Sequence, residues 1–182
     1  MEPPLENSRQ TLCADEVSRV PYVSYTGGVM SKLELPSHGH CRCGEVQIRI
    51  SAQPMLTMAC HCKGCQRMSA SAFSLSAAVS TKGFEVIHGD PVIGGLRNPD
   101  LRHFFCPQCM SWMFTRFLPE FVNVRVTMLD DVSWFAPFIE TWTKTKLPWA
   151  TTPAVHRYAE FPPKEEYANL TAEFSQMLSI AP

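Results

Sequence analysis

The sequence predicts a mainly β domain followed by one amphipathic helix. Three observations favour this fold class. Short stretches in which polar and apolar residues alternate, as in a half-buried strand, recur between positions 39 and 138. Turn-forming residues separate these stretches. No long apolar stripe at helical spacing lies among them, so we expect antiparallel sheets and not a parallel sheet with crossover helices.

Six strands are predicted along this region. Residues 45–50 and 121–126 show the clearest alternation, which indicates strands with one buried face. The four runs between them are shorter and are divided by turns rich in Gly and Pro: residues 72–79, 84–87, 101–105 and 112–114.

The pattern becomes helical after Phe161-Pro162-Pro163. Apolar residues recur there at positions i, i+3, i+7 and i+10 or i+11 of one helix face: Tyr167, Leu170, Phe174 and Met177 or Leu178. A proline in the first turn favours a helix start at this point. We predict that residues 163–182 form a helix and tail packed on the β domain.

The chain length of 182 residues suits one domain with a core. Residues 1–37 are rich in Pro, Ser, Gly and isolated charges, which predicts a loosely structured N-terminal extension before a domain at 38–162. Cys13 lies in the extension and is interpreted as a spare free thiol. The alternative, a distant fourth metal ligand, requires ordering of the extension.

Composition limits the classes of function. A hydrophobic content of 45%, a net charge of −1 and four tryptophans are typical of a soluble globular protein. No apolar run approaches the roughly 18 residues of a membrane-spanning helix, and the N-terminus lacks the pattern of a secretion signal. We expect a cytoplasmic protein with no membrane partner. Scattered Lys and Arg residues form no basic run, so nucleic acid is not an expected partner.

Seven of the eight cysteines fall into three short clusters, at positions 41–43, 60–65 and 106–109. In a reducing compartment such clusters are metal ligands or catalytic thiols more often than disulfides. Clusters of two, three and two cysteines suggest two unlike zinc sites. Four thiolates close a structural site, whereas three leave a coordination position open.

Spacing assigns cysteines to each site. Cys41 with Cys43 and Cys106 with Cys109 form two short turns far apart in the sequence, which can clamp one structural Zn²⁺. Such a clamp ties distant strands together and contributes its binding free energy to folding.

The middle cluster supplies three thiolates from one loop, so we interpret Cys60, Cys62 and Cys65 as the ligands of a catalytic zinc. Two alternatives stay open: a protein side chain fills the fourth position, or the cysteines are free thiols. The candidate side chains for that position are His61, His88 and His103.

Five segments carry a family resemblance: Gly39-His40-Cys41-Arg42-Cys43-Gly44-Glu45-Val46, Cys60-His61-Cys62-Lys63-Gly64-Cys65-Gln66-Arg67, Phe105-Cys106-Pro107-Gln108-Cys109, Leu129-Asp130-Asp131 and Lys146-Leu147-Pro148-Trp149. In order and spacing they resemble the glutathione-dependent formaldehyde-activating enzyme family, which also includes centromere protein V. The likeness covers roughly residues 38 to 162.

The resemblance implies an Mss4-like β-tent of antiparallel sheets built round a structural zinc. It implies a second, catalytic and labile zinc beside a glutathione site. The implied reaction joins a small thiol such as glutathione to an aldehyde such as formaldehyde, or cleaves the adduct, as a carbon–sulfur lyase. The implied ligands are Cys41, Cys43, Cys106 and Cys109 for the structural zinc, and Cys60, Cys62 and Cys65 for the catalytic zinc.

The chain departs from the family pattern beside both sites. Met110 stands where the family usually has a glycine, so this turn must bend differently or tolerate strain. Ser69-Ala70-Ser71 and Thr127-Met128 also replace positions where the family has glycine. These substitutions bear on the choice of substrate more than on metal binding.

Several residues near the open site are candidates for substrate contacts. Arg67 is suited to a carboxylate of the thiol substrate, and Ser69 or Ser71 to an oxyanion. His61 and His103 are candidate proton carriers because an ordinary imidazole pKa lies in the useful range.

Two other functions compete with the enzyme hypothesis. One is a non-enzymatic, zinc-stabilised protein-interaction module, in which Trp134-Phe135 and the segment from Trp142 to Trp149 supply an apolar patch. The other is a zinc-stabilised redox enzyme such as a methionine sulfoxide reductase. That function needs an activated cysteine, and Cys13 is a poor candidate.

Overall fold

The computed structural model describes residues 31–96 and 100–180. These residues form eleven β-strands and two α-helices, joined by turns and short 3₁₀ segments. In chain order the elements are β1 (Ser37–His40), β2 (Gln47–Ile50), β3 (Leu56–Cys60), α1 (Lys63–Ser69), β4 (Ser74–Ser80), β5 (Phe84–His88), β6 (Val92–Gly94), β7 (Arg102–Phe105), β8 (Trp112–Arg116), β9 (Phe121–Arg125), β10 (Ile139–Thr141), β11 (His156–Arg157) and α2 (Tyr167–Ile180).

The strands make two sheets. The small sheet is antiparallel and consists of β1, β2 and β5, and the large sheet has the order β11-β10-β3-β4-β9-β8-β7-β6. The large sheet is antiparallel except at one edge, where β10 pairs in parallel with β3 and with β11. The predicted mainly β fold class with antiparallel sheets and a C-terminal helix is confirmed, and the parallel edge is an addition to it.

The main core lies between the two sheets. On β2, Ile48 and Ile50 are fully buried while Gln47 and Arg49 are exposed, which is the alternation that the sequence predicts. The same core contains side chains from three strands of the large sheet: Val79, Phe114, Val122 and Val124.

Helix α2 packs through the face that its sequence predicts. Leu170, Phe174 and Leu178 are its buried residues, and the Phe174 ring lies 5.4 Å from the Phe138 ring, centroid to centroid. At 14 residues α2 is the longer helix. Neither it nor any other helix of the described ranges has the length and apolar character that a membrane crossing needs.

The sequence did not predict β3 and β10, which lack a regular alternation of polar and apolar residues. β3 lies between β4 and β10, and its side chains are buried on both faces except for a half-buried Met58. β10 is only three residues long and carries the fully buried Glu140. A short strand with a charge at its centre has no signal of its own in the sequence.

The predicted N-terminal extension is described only from residue 31 onward. There Leu33 is buried, and its backbone exchanges two hydrogen bonds with the Gln53 side chain, at 3.1 and 2.7 Å. This part of the extension is therefore packed on the domain. Cys13 lies outside the described residues.

The contact between α2 and the sheet can be tested by Phe174→Ala. Phe174 is 1% exposed, and loss of a buried ring is expected to lower the free energy of unfolding by about 3–5 kcal/mol. Ile180→Ala, on the same helix but 84% exposed, is the matched control and should change it by less than about 0.5 kcal/mol. Denaturant unfolding measures both. A similar small loss in the two variants would contradict the packing of α2.

Candidate functional site

Four cysteines from the two sheets meet at one point. Cys41 and Cys43 lie between β1 and β2, and Cys106 and Cys109 lie between β7 and β8. Their Sγ atoms all lie within 4.8 Å of one another, with 3.5 Å from Cys41 to Cys43 and 3.6 Å from Cys43 to Cys106. A tetrahedral zinc with Zn–S bonds of about 2.3 Å needs sulfurs about 3.8 Å apart. This four-cysteine set therefore fits one zinc ion.

Similar backbone turns support both halves of the four-cysteine set. The Gly44 N–H donates to the Cys41 carbonyl at 2.9 Å, and Gly44 has a φ of +79°. The Met110 N–H donates to the Cys106 carbonyl at 3.1 Å, and Met110 has a φ of +57°. Met110 thus adopts the left-handed conformation that the family's glycine would allow without strain, which is one of the two outcomes expected from the sequence.

Cys60, Cys62 and Cys65 form a second set, and their Sγ atoms also lie within 4.8 Å of one another. Cys60 ends β3, and Cys62 caps the N-terminus of α1, where its sulfur accepts the Cys65 N–H at 3.3 Å. Hydrogen bonds from Cys60, Cys65 and the backbone lower the pKa of Cys62 to about 2. Cys60 is buried, but Cys62 and Cys65 are half-buried, so this three-cysteine set is reachable from solvent.

No histidine among the described residues completes the three-cysteine set. The His61 ring is fully buried and turns to Glu140, with 3.2 Å between Nε2 and Oε1. His88 is exposed at the end of β5 in the other sheet. His103 is buried, and its Nδ1 lies 2.9 Å from the Thr115 hydroxyl. A histidine in the fourth position is therefore not supported.

The loop that carries the three cysteines is held by the end of β10 and by the chain just after it. The His61 N–H donates to the Thr141 carbonyl at 3.0 Å. The His61 carbonyl accepts hydrogen bonds from the Thr145 hydroxyl at 2.9 Å and from the Gln66 amide at 2.8 Å. These bonds fix the backbone between Cys60 and Cys62 independently of a metal.

Glu140 is the centre of a buried charge network behind this loop. Its Oε1 accepts hydrogen bonds from Lys146 at 2.6 Å and Thr152 at 2.7 Å, and Arg157 Nε lies 3.2 Å from Oε2. Burial would raise the pKa of Glu140, but hydrogen bonds from Lys146, Thr152 and His61 outweigh burial and lower it. Glu140 is therefore charged at neutral pH, and it connects the Lys-x-x-Trp segment to the cysteine loop.

A buried arginine that the sequence did not single out also lies near the three-cysteine set. Arg125 ends β9, is 7% exposed, donates from Nη1 to the Ser74 hydroxyl at 3.2 Å and lies 4.1 Å from the Trp112 ring centroid. Burial lowers its pKa to about 10, and the charges of Cys65 and Cys60 oppose that shift. The alternation in residues 121–126 predicts an outward-facing arginine. This expectation is wrong, because β9 is covered on both faces.

The remaining candidate residues lie on and just after α1. Arg67 is exposed in the last helical turn, where a substrate can reach it. The Ser69 hydroxyl donates to the Cys65 carbonyl at 2.7 Å, so it stabilises the end of the helix. Ser71 is exposed.

Two cysteine sets, one complete and one open, define a class of mainly β proteins suited to bind metal ions at unlike sites. The chain belongs to the family described as glutathione-dependent formaldehyde-activating enzyme, whose model matches residues 36–145 and so includes both sets. No curated protein matches the chain. A solved structure of a Rhodobacter sphaeroides protein is 24% identical, with 52% of this chain and 89% of that chain covered and a TM-score of 0.43.

The buried charge network is tested by Glu140→Gln. Loss of the carboxylate charge weakens its hydrogen bonds from Lys146 and Thr152 and its ion pair with Arg157. Because Lys146 and Arg157 both reach solvent, the free energy of unfolding should fall by about 2 kcal/mol at pH 7. Because folding lowers the pKa of Glu140, its contribution is complete above the unfolded pKa of about 4.5 and is lost as pH falls through the folded value. The gap between wild type and variant should therefore narrow in acid.

Denaturant unfolding at a series of pH values measures this gap. Glu160→Gln removes an exposed carboxylate that pairs with Lys144, and it should cost less than about 1 kcal/mol at any pH. A gap for Glu140→Gln that is as small as this control, or that does not change with pH, would contradict the network.

Proposed function

We propose that this protein is a zinc-dependent carbon–sulfur lyase-type enzyme. It joins a small thiol such as glutathione to an aldehyde such as formaldehyde, or cleaves the adduct. The observation that carries the proposal is the three-cysteine set, with its sulfurs within 4.8 Å of one another and no fourth protein ligand among the described residues. A set that served folding alone would be closed, as the four-cysteine set is. Family membership supports the thiol and aldehyde as the substrate class.

The donor atoms of both sets suit Zn²⁺, which binds thiolates tetrahedrally. We assign the structural ion to Cys41, Cys43, Cys106 and Cys109, and the catalytic ion to Cys60, Cys62 and Cys65. Bound at the three-cysteine set, zinc supplies a Lewis acid that favours a thiolate over a thiol at neutral pH.

The proposed reaction is an addition that needs no oxidant. A bond forms between the thiol sulfur and the aldehyde carbon, and the carbonyl π electrons move to oxygen. The thiol proton is transferred to that oxygen, and the product with formaldehyde is an S-hydroxymethyl thiol. The reverse reaction breaks the carbon–sulfur bond. His103 is our candidate to hold the proton in transit. Burial and the charge of Arg125 lower its pKa, so the imidazole is neutral at pH 7 and would release a proton readily after taking it up.

Arg67 is proposed to contact a carboxylate of the thiol substrate. Its side chain is exposed two positions after Cys65 on α1. A planar guanidinium binds a carboxylate through two parallel hydrogen bonds, which would orient the thiol towards the open set.

A second candidate function is a zinc-stabilised protein-interaction module without catalysis. Trp149 favours it, because this side chain is 72% exposed at the end of the Lys-x-x-Trp segment. Trp134 does not contribute to such a surface, since it is 4% exposed and belongs to the main core.

The division into two metal sites predicts two zinc ions per chain after purification without chelators. Cys62→Ser should lose one ion and stay folded. Cys41→Ser should lose much of its fold, because binding at a structural site contributes to folding. Cys13→Ser is the control cysteine and should keep both ions. Elemental analysis and circular dichroism measure the two properties. One ion in the wild type, or global unfolding of Cys62→Ser, would contradict the division into a structural and a catalytic zinc site.

Catalysis is tested by the rate at which glutathione and ¹³C-formaldehyde exchange with their adduct, measured by NMR. The two-zinc protein should accelerate this exchange, and Cys62→Ser should lower kcat/KM by ~100-fold or more, since the metal that activates the thiol is lost. Trp149→Ala is the control and should keep activity. If the two-zinc form accelerates exchange with neither glutathione nor other small thiols, the enzyme proposal fails and the interaction module takes its place.

A further inference from the structure

Arg125 is a buried charge without a carboxylate partner in the described part of the chain. Within residues 31–96 and 100–180 no ion pair joins it to an Asp or Glu, and its Nε has no hydrogen-bond partner. A pKa of about 10 keeps the guanidinium charged at neutral pH. Burial of an unpaired charge is strongly unfavourable, so an opposite charge must lie close to it.

The three-cysteine set supplies that opposite charge. Cys60 on β3 stands opposite Ser74 on β4 in the sheet, and the Ser74 hydroxyl accepts the hydrogen bond from Arg125. One buried hydroxyl thus connects the guanidinium to the strand pair that carries the set. Three thiolates with one Zn²⁺ have a net charge of about −1, and a bound thiolate substrate makes the centre more negative.

We infer that Arg125 is a positioning residue for the three-cysteine set, whose buried positive charge strengthens the binding of zinc and of a thiolate at the open position. This inference rests on the proposed zinc site. The charge acts over a short distance in a poorly screened interior, so its effect on a negative metal centre is larger than that of a surface arginine.

The competing role for Arg125 is packing alone, because its guanidinium lies over the Trp112 ring. Arg116 separates the two roles. It ends β8, lies over the rings of Phe84 at 5.5 Å and Phe114 at 5.8 Å, and has its pKa lowered by burial. Arg116→Met therefore removes a comparable stacked arginine whose pKa shows no influence of the cysteines.

The experiment titrates the full-length, two-zinc protein with a chelator and determines the affinity of each site. Cys62→Ser assigns the two affinities to their sites, because this variant keeps only the four-cysteine set. Arg125→Met should lower zinc affinity at the three-cysteine set by about 10–100-fold, the usual effect of losing a residue that supports metal ligands. The four-cysteine set should keep its affinity, and Arg116→Met should leave both sites unchanged.

Arg125→Lys keeps the positive charge and is the second variant. We expect its zinc affinity at the three-cysteine set to lie between those of wild type and Arg125→Met, or within about tenfold of wild type if the Met variant does not fold. Unchanged zinc affinity in a folded Arg125→Met variant, or equal losses in Arg125→Met and Arg116→Met, would overturn the inference. So would loss of the second zinc in a folded Arg125→Lys variant.

Thiol binding gives a readout separate from turnover. Glutathione is titrated into the protein loaded with cobalt(II), and binding is followed by the thiolate-to-cobalt absorption band. We expect Arg125→Met to bind glutathione with lower affinity than wild type does. If wild type binds zinc as described yet turns over no adduct, the proposed enzyme function fails while the role of Arg125 stands. If turnover occurs but zinc and thiol affinities do not depend on Arg125, only the inference fails.

Discussion

The four-cysteine set is the constraint on which the remaining structure depends, because it joins the two sheets at a single point. One pair of sulfurs comes from the loop between β1 and β2 of the small sheet, and the other from the loop between β7 and β8 of the large sheet. The backbone of β1 also passes close to the chain at Met128 and Leu129. A Cβ at Gly39 would lie 2.2 Å from the Met128 carbonyl oxygen, so only glycine allows β1 to pair with Leu129 there. The sheets can then bury their facing side chains.

With the sheets joined, the three-cysteine set is positioned by protein contacts and not by a second clamp. Its loop is bound through the backbone of His61 to the end of β10 and to Thr145 just after it. Buried charges of opposite sign lie near it: the Glu140 carboxylate contacts the ring of His61, and the Arg125 guanidinium is connected through Ser74 to the β3-β4 pair. The charge of Glu140 is paired with Lys146 and Arg157, and its carboxylate contacts the His61 ring of the loop. Arg125 lacks a carboxylate partner among the residues that the structure describes, so its charge is available to the metal centre.

Local patterns predicted the parts of the fold and site that depend on local chemistry. The spacing of the cysteines predicted both sets, because ligand turns are short and zinc needs few residues. The apolar spacing of α2 predicted its buried face, since residues at this spacing lie on one side of a helix. Leu170, Phe174 and Leu178 are its buried residues. Long-range partners were missed. The sequence alternation places Arg125 on an exposed face, whereas both faces of β9 are covered in the fold. No sequence pattern indicates partners for Glu140, whereas the fold brings Lys146, Thr152 and Arg157 to it.

The central claim is that one cysteine set is closed and the other open. Anomalous diffraction at the zinc edge, from crystals of protein purified without chelators, tests this claim most directly. The structure predicts two peaks, one surrounded by four sulfurs at Cys41, Cys43, Cys106 and Cys109, and one held by Cys60, Cys62 and Cys65 with water or a small thiol as the fourth ligand. A single peak, a disulfide within the three-cysteine set, or the His61 ring turned from Glu140 onto the metal would contradict it.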